Sequence, residues 1–285
     1  MTKQRRRPKQ QSEANSTMLA GHTGPYYTKT IGRALDVLEC FEDDQSQLSF
    51  KEISRVISMP GPSLFRVLAT LEARGYITRN SDGSYRLADR VLYGKLLERG
   101  QRMRVLFHYE LQKLASHFNE SSSLAYLFGD HIQVLDSVET FHEIRITNKP
   151  GRLLPPHCSA MGKAITAHQD HVRRDRILEV YGLDRRTPAT IVDRPVLLAE
   201  FAEILKRGYA VDREESVPGG LCIGAGIVPP GGRAVAAISV STPLVRMPPG
   251  REEEIIAGVK DAAHAMAELW VRDEKRVSSV PAKVL

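Results

Sequence analysis

Long apolar runs are missing from this chain. Nowhere do its 285 residues approach the roughly 18 consecutive apolar residues that a membrane-spanning helix needs. The basic start, with Arg5, Arg6 and Arg7, has no apolar stretch behind it and does not read as a secretory signal. Cysteine is scarce: Cys40, Cys158 and Cys222 are an odd number without CxxC spacing, which argues against a disulfide framework. Cys40 falls late in a helical pattern and reads as a small buried apolar residue. The glycine pairs Gly219-Gly220 and Gly231-Gly232 lack the lysine and helix start of a phosphate-binding loop, so they mark turns. His157, Cys158 and His168 lack metal-ligand spacing, and His131, His142, His168 and His171 read as scattered surface residues. His157 beside Cys158 invites a nucleophile–base reading. Sequence neighbours seldom place their side chains for a mutual hydrogen bond, however, and no third orienting group is evident. No catalytic site, metal site or cofactor is expected, and the chain reads as a soluble cytoplasmic protein.

What is present is a modest positive excess, unevenly placed. The formal net charge is +6 and the pI about 9.2. Residues 1–90 hold 14 Lys/Arg against 10 Asp/Glu, and the remaining 195 residues hold 26 against 24. This balance fits an anionic partner near the N-terminus. Residues 1–27 are rich in Lys, Arg, Gln and Ser and have little to bury, so disorder is expected there. Two readings of Arg5–Arg7 stay open, a phosphate-seeking arm and a solvated tail.

Residues 28–87 read as a winged helix-turn-helix. Thr28–Asp43 carries Ile31, Ala34, Leu35, Leu38 and Phe41 at helical period. Ser49-Phe50-Lys51-Glu52 is a capping box, with Leu48 and Ile53 placed for a hydrophobic staple. A short helix with Ile53, Val56 and Ile57 inward then meets the turn Ser58-Met59-Pro60-Gly61. Pro62 suits the first position of the next helix. Leu64, Val67, Leu68 and Leu71 form one stripe of it, and Gly75 is a left-handed cap. Tyr76–Arg79 and Tyr85–Leu87, joined through Ser81-Asp82-Gly83, read as the wing hairpin. Opposite the leucine stripe stand Pro62, Arg66, Ala69 and Ala73, flanked by Ser63, Phe65 and Thr70. Small residues and one arginine let a helix approach a DNA groove. The candidate DNA contacts are Pro62, Ser63, Phe65, Arg66, Thr70, Arg79, Ser81 and Ser84. A three-helix protein-binding module is the competing reading.

Beyond the wing, Ala88–Met103 reads as a linker helix with Val91, Leu92, Leu96 and Leu97 apolar. Arg102–Phe118 reads as a further helix with Leu106, Tyr109, Leu111 and Leu114 apolar. Ser122–Phe128, Gln133–Val138 and Ile144–Ile146 read as strands, with turns at Gly129-Asp130 and Glu139–His142. Cys158–Ala167, Arg173–Tyr181 and Pro195–Arg207 are expected helices. Tyr209–Arg213, Leu221–Val228 and Ala234–Ser241 are expected strands, and Pro248–Arg272 contains a long helix. Helices flanking one antiparallel sheet give an α+β domain over residues 104–275, followed by a tail at 276–285. There is no internal repeat.

Four stretches, taken in order, resemble the IclR family of bacterial transcriptional regulators over nearly all of Lys29 to Arg272. The first is Arg33–Leu38 with Phe41, and the second is Pro60–Tyr76. The third is Leu154-Pro155-Pro156-His157-Cys158-Ser159-Ala160-Met161-Gly162-Lys163-Ala164. The fourth runs through Arg207–Asp212, Glu214-Glu215, Gly219, Cys222-Ile223 and Ala236–Ser241. The resemblance implies a winged helix reading a palindromic operator, a GAF-like distal domain holding a small organic or aromatic acid, and a homodimer or homotetramer. It implies regulation of a catabolic operon, with repression expected, although the sign depends on operator position. The chain departs from the family at Ser58, where a turn glycine is usual, at Pro62-Ser63, where a Ser-Thr pair is usual, and at Gly226, where proline is usual.

The candidate effector residues are Ile146, Leu154, Ser159, Ala160, Met161, Gly162, Asp212, Cys222, Ser239 and Ser241. Ser159–Gly162 sits near a helix N-terminus, where free N–H groups and the helix dipole suit a carboxylate. Ala160 and Gly162 are small enough for close approach. Ser239 and Ser241 are two apart and share a sheet face. The resemblance adds Ile146 and Leu154. Plainer roles stand beside these: Ser159 as a helix cap, Cys222 as a small buried residue, Asp212 as a surface partner of Arg213 or Arg233, and Glu214-Glu215 as loop ties. A second domain that only dimerises, with a filled core in place of a pocket, is the alternative.

Overall fold

The computed structural model describes residues 26–41, 47–57 and 59–279. The start of the basic arm, the helix end expected at Asp43, the turn residue Ser58 and the tail beyond Ser279 lie outside the described residues. The chain divides into two compact units, Met1–Leu97 with Lys275–Leu285, and Glu98–Glu274.

In the first unit, α1 (Lys29–Glu39), α2 (Phe50–Ile57) and α3 (Gly61–Ala73) precede the hairpin β1 (Ile77–Arg79) and β2 (Tyr85–Leu87). The capping box forms as the sequence dictates. Ser49 N–H donates to Glu52 Oε2 at 2.8 Å, and Glu52 N–H donates to Ser49 Oγ at 3.3 Å. α3 ends in a Schellman motif: the Gly75 amide donates to Glu72 O and the Tyr76 amide to Leu71 O, with Gly75 at φ +67°. The hairpin register pairs Ile77 with Leu87 and Arg79 with Tyr85. Leu64, Val67, Leu68 and Leu71 meet Val37, Phe41, Ile53 and Ile77 in one core.

Three details of this unit differ from expectation. α1 stops at Glu39, with the half-buried Cys40 as its C-cap. It is also rolled about its axis: Ile31 and Leu35 are exposed in the single chain, while Val37 is buried. Val37 lies at one edge of the helix's apolar arc and Ile31 and Leu35 at the other, so period alone did not select which edge faces inward. α3 begins one residue early, which puts Pro62 at its second position, where the amide is still without an intrahelical acceptor.

The expected linker helix and its successor are one 30-residue helix, α4 (Asp89–Phe118). No proline interrupts it, and both of its glycines, Gly94 and Gly100, are accommodated within the helix. Tyr109, one of its apolar positions, is 66% exposed. The expected Leu111 and Leu114 carry the buried stripe together with Met103, Phe107 and Phe118. Full burial of each such side chain contributes roughly 1.5–3 kcal/mol.

The second unit is built on an antiparallel sheet in the order β4-β3-β7-β6-β5. Its strands are β3 (Ser121–Phe128), β4 (His131–Val138), β5 (Ala210–Arg213), β6 (Gly220–Ile227) and β7 (Ala236–Pro243). Alternation along β3 sends Leu124 and Tyr126 to one face and Ala125 and Leu127 to the other. α4 and α8 (Arg251–Ser279) cover the first face. α5 (Ala160–Ala167), α6 (His171–Tyr181) and α7 (Arg194–Arg207) cover the second. Helix, sheet and helix thus make three layers, and the fold is mixed α+β. The strand expected at Ile144–Ile146 does not form. Ile144 is exposed, and Arg145 turns back onto Glu139 at 2.9 Å and onto the His142 carbonyl at 3.0 Å. α5 starts two residues later than expected, because Ser159 in extended conformation caps it.

Candidate functional site

The outer face of α3 presents Pro62, Phe65, Arg66, Ala69, Thr70 and Ala73 to solvent, with Ser63 half-buried. Arg66 projects from the middle of this face beside the two alanines. Thr70 is less available than its exposure suggests, because its hydroxyl donates to the Arg66 carbonyl of its own helix at 2.7 Å. On the wing, Arg79 and Ser81 are exposed. Ser84 is held within the turn: its hydroxyl donates to Asp82 Oδ1 at 2.6 Å and accepts from Asn80 Nδ2 at 2.9 Å. Pro62, Phe65, Arg66 and Ser81 therefore face outward, Ser63 stands half-buried beside them, and the Arg79 guanidinium lies over the Tyr85 ring at 5.8 Å with its side chain still exposed.

In the second unit, α5 lies on the sheet so closely that a methyl group at Gly224 would sit 3.2 Å from the Ala160 carbonyl carbon. That contact sets the N-terminus of α5 against β6 and β7. A small cavity opens there, lined by Ile146, Leu154, Ser159, Ala160, Met161, Asp212, Cys222, Ser239 and Ser241. Nine of the ten residues singled out in the sequence thus line one space. The tenth, Gly162, does not. A side chain there would run into the Pro155 carbonyl, so its smallness serves the packing of α5. Asn148, Arg152, Pro155, Ser216 and Val217 also line the cavity and were missed. They sit on two irregular loops where no period operates. The nearest signal was the polar Asn148–Arg152 turn just before Leu154.

The cavity measures about 40 Å³, while one water needs ~10–15 Å³. As the walls stand it admits a few waters or the end of a small ligand. Its polar groups divide into committed and open ones. Ser159 is committed: Oγ accepts from the Gly162 amide at 3.1 Å and donates to the Pro155 carbonyl at 2.6 Å. Asp212 is buried, not a surface partner of Arg213 or Arg233. Those arginines pair with Glu252 and Asp170. Asp212 Oδ1 accepts the amides of Glu215 at 2.8 Å and Ser216 at 3.1 Å, and Oδ2 accepts the Ser216 hydroxyl. Burial pushes its pKa up despite these bonds. The open groups are the amides of Ala160 and Met161, first-turn donors without intrahelical acceptors, and Ser241. Ser241 Oγ is buried beside the Cys222 thiol and has no oxygen or nitrogen partner among the described residues.

Beneath this wall lies a buried cation that the sequence reading passed over. Lys163 is fully enclosed, and its Nζ meets Glu215 Oε1 at 2.5 Å and Glu200 Oε1 at 3.6 Å. Thr187 and Thr190 hydroxyls hold the Glu214 and Glu215 carbonyls at 2.6 and 2.7 Å. The loop expected to be tied by Glu214-Glu215 is tied from below, and Glu214 also accepts from the Gly219 amide at 2.7 Å.

Nucleophilic chemistry has no footing here. Burial pushes the Cys158 and Cys222 thiols up to about 12, so both stay protonated and inert. His157 has its pKa lowered by burial, and its Nε2 lies 3.0 Å from the Asp184 carbonyl. Among the described residues no three His, Cys, Asp or Glu are grouped to hold a metal ion. Among them, too, no helix is long and apolar enough to cross a membrane.

Comparison with known proteins matches both units. The model of the bacterial transcriptional regulator IclR C-terminal domain covers residues 99–268, and that of the IclR helix-turn-helix domain covers residues 30–81. The HTH-type transcriptional regulator BhcR of Paracoccus denitrificans is 32% identical over 241 residues, spanning 84% of this chain and 86% of its own. The transcriptional repressor IclR of Escherichia coli is 28% identical over 239 residues, spanning 82% and 87%. A crystal structure of an IclR homolog from Microbacterium hydrocarbonoxydans, complexed with 4-hydroxybenzoate, superposes with a TM-score of 0.56 at 22% identity, covering 86% of this chain and 100% of that one. These relatives are regulators rather than enzymes, and the chain belongs to the IclR family of DNA-binding transcriptional regulators.

Proposed function

We propose that this protein represses a catabolic operon by binding a palindromic operator as a homodimer or homotetramer in the cytoplasm, and that a small organic or aromatic acid relieves or alters that binding. Operator contacts come from α3 through Ser63, Phe65 and Arg66 and from the wing through Arg79 and Ser81. A dimer places two such helices in successive major grooves, which makes the operator palindromic. The effector carboxylate lies against the open amides of Ala160 and Met161, where the helix dipole favours an anion. Ser239 and Ser241 meet its remaining oxygens, and Arg152 stands at the wall as a counter-charge.

The observation that carries this reading is the buried Ser241 Oγ, which has only the Cys222 thiol beside it and lines the same cavity as Ala160 and Met161 at the N-terminus of α5. A thiol is a weak hydrogen-bond partner, and a ligand oxygen offers a stronger one. The homolog that holds 4-hydroxybenzoate shows a hydroxylated acid on the same fold. A ligand of that size needs more room than the present cavity, so binding displaces the loop walls.

The test is a mobility-shift titration on the DNA flanking this gene's own start, repeated with a panel of small carboxylic acids. One acid should weaken or strengthen the shifted band. The double variant Ser239→Ala with Ser241→Ala should keep the shift and lose the response. A shift indifferent to every acid leaves a DNA-binding protein whose second domain only dimerises.

A further inference from the structure

Phe65 is an anomaly on the reading face. It lies in α3 directly after the buried Leu64, yet its own ring is 60% exposed. Among the described residues no other ring packs against it. At 100° per residue it falls between the buried stripe and the outermost position, on the same ridge as Ala69 one turn on. Ala69 is exposed and carries only a methyl group, so the flank of Phe65 is open to a flat partner. Arg66, the next residue, projects from the centre of the face. An exposed aromatic ring next to a central arginine is a poor surface in water and a good one against a base edge.

We infer that Phe65 selects thymine, its ring covering the C5-methyl group of one thymine in each half-site while Arg66 contacts a neighbouring base edge or phosphate. This rests on the assignment of α3 as the reading helix. The chemistry is specific. In the major groove the thymine methyl is the one apolar feature that a base pair offers, and phenylalanine is among the side chains that meet it. Arginine supplies affinity wherever phosphate is near. The phenylalanine ring discriminates only by what it buries. Removing the methyl from the DNA therefore isolates its contribution without altering a single hydrogen bond.

The experiment uses the full chain. A binding site is first selected from a random duplex pool, then rebuilt with each thymine replaced in turn by deoxyuridine. At one thymine per half-site the affinity of the native protein should fall about fourfold, taking ~0.8 kcal/mol per methyl-sized group at 1.4 kcal/mol per factor of ten. Phe65→Ala should bind the thymine and uracil forms of that position equally, while Phe65→Leu should keep part of the preference. Phe65 is outside the core, so both variants should retain the native circular dichroism and oligomeric state. Four outcomes overturn the inference: a native protein that treats every thymine and uracil alike; a Phe65→Ala variant that discriminates as the native protein does; a Phe65→Ala variant that loses its oligomeric state, which makes the ring a subunit contact; and a pool that yields no selected site, in which case the reading-helix assignment itself fails and the inference falls with it.

Discussion

At the scale of single residues, the pocket wall depends on charges kept out of water. Glu215 is the clearest case. Burial raises its pKa from the ordinary 4.5 to about 7, with Lys163 and its hydrogen bond opposing the shift. A carboxyl whose folded pKa lies above its unfolded value holds a proton more tightly in the native state. Native stability from this group is therefore complete below pH 4.5 and declines as pH rises toward 7. His157 works the other way, because burial lowers its pKa and stability rises with pH up to about its ordinary value. The two oppose each other, so the native curve alone is uninformative. We predict that Glu215→Gln removes its share of the declining component, leaving only that of Asp212: unfolding free energy from denaturant titration should climb more steeply between pH 5 and 7 in the variant than in the native protein. Parallel curves would show that Glu215 is ionised throughout, held so by Lys163.

At the scale of elements, the two glycines of α4 make opposite predictions. A methyl group at Gly100 would meet the end of the Tyr126 ring at 3.1 Å, so that side chain must move aside to admit it. A methyl group at Gly94 meets nothing within 4 Å. Glycine in a helix interior is less favourable than alanine by roughly 0.5–1 kcal/mol. Gly94→Ala should therefore raise the unfolding midpoint by that equivalent, and Gly100→Ala should lower it. A fall in Gly94→Ala would mean that the helix bends there in solution. The same helix shows where sequence was readable. Local chemistry was legible: Ser49 with Glu52, and Gly75 after the leucine stripe, announced their caps because partners three or four residues apart make them. Period-two alternation likewise put Ser239 and Ser241 on one face. Properties decided by distant packing were not legible. Nothing near Ile31 indicates that it faces outward while Val37 faces in. Nothing near Gly162 reveals that Pro155 presses on it. Arg152 and Ser216 reach the cavity on irregular loops, whose paths follow from tertiary bonds such as those of Asp212 and the threonines.

At the scale of the whole molecule, the proposed function requires that occupancy of the second unit change the affinity of the first for DNA. The pocket supplies a physical reason for such a conversion. Its cavity of about 40 Å³ is too small for an aromatic acid, and the Asp212–Val217 wall is held by Asp212 from within and Lys163 from below. On the proposed function, an acid enters by doing work on that wall, and so binds one arrangement of the unit better than another. Differential affinity is the sole means by which a ligand shifts an equilibrium. The coupling is reciprocal: if the acid changes operator affinity by some factor, the operator changes acid affinity by the same factor, typically about 5–150-fold. Calorimetric titration of the acid, with and without saturating operator at one fixed salt concentration, should return that factor. The salt must be fixed because phosphate contacts make DNA affinity steeply dependent on it. Equal acid affinities in the two titrations would mean that the wall moves without consequence for DNA. Lys163→Met should loosen the wall, raise acid affinity and reduce the coupling factor together, because a wall that yields freely no longer distinguishes the two arrangements.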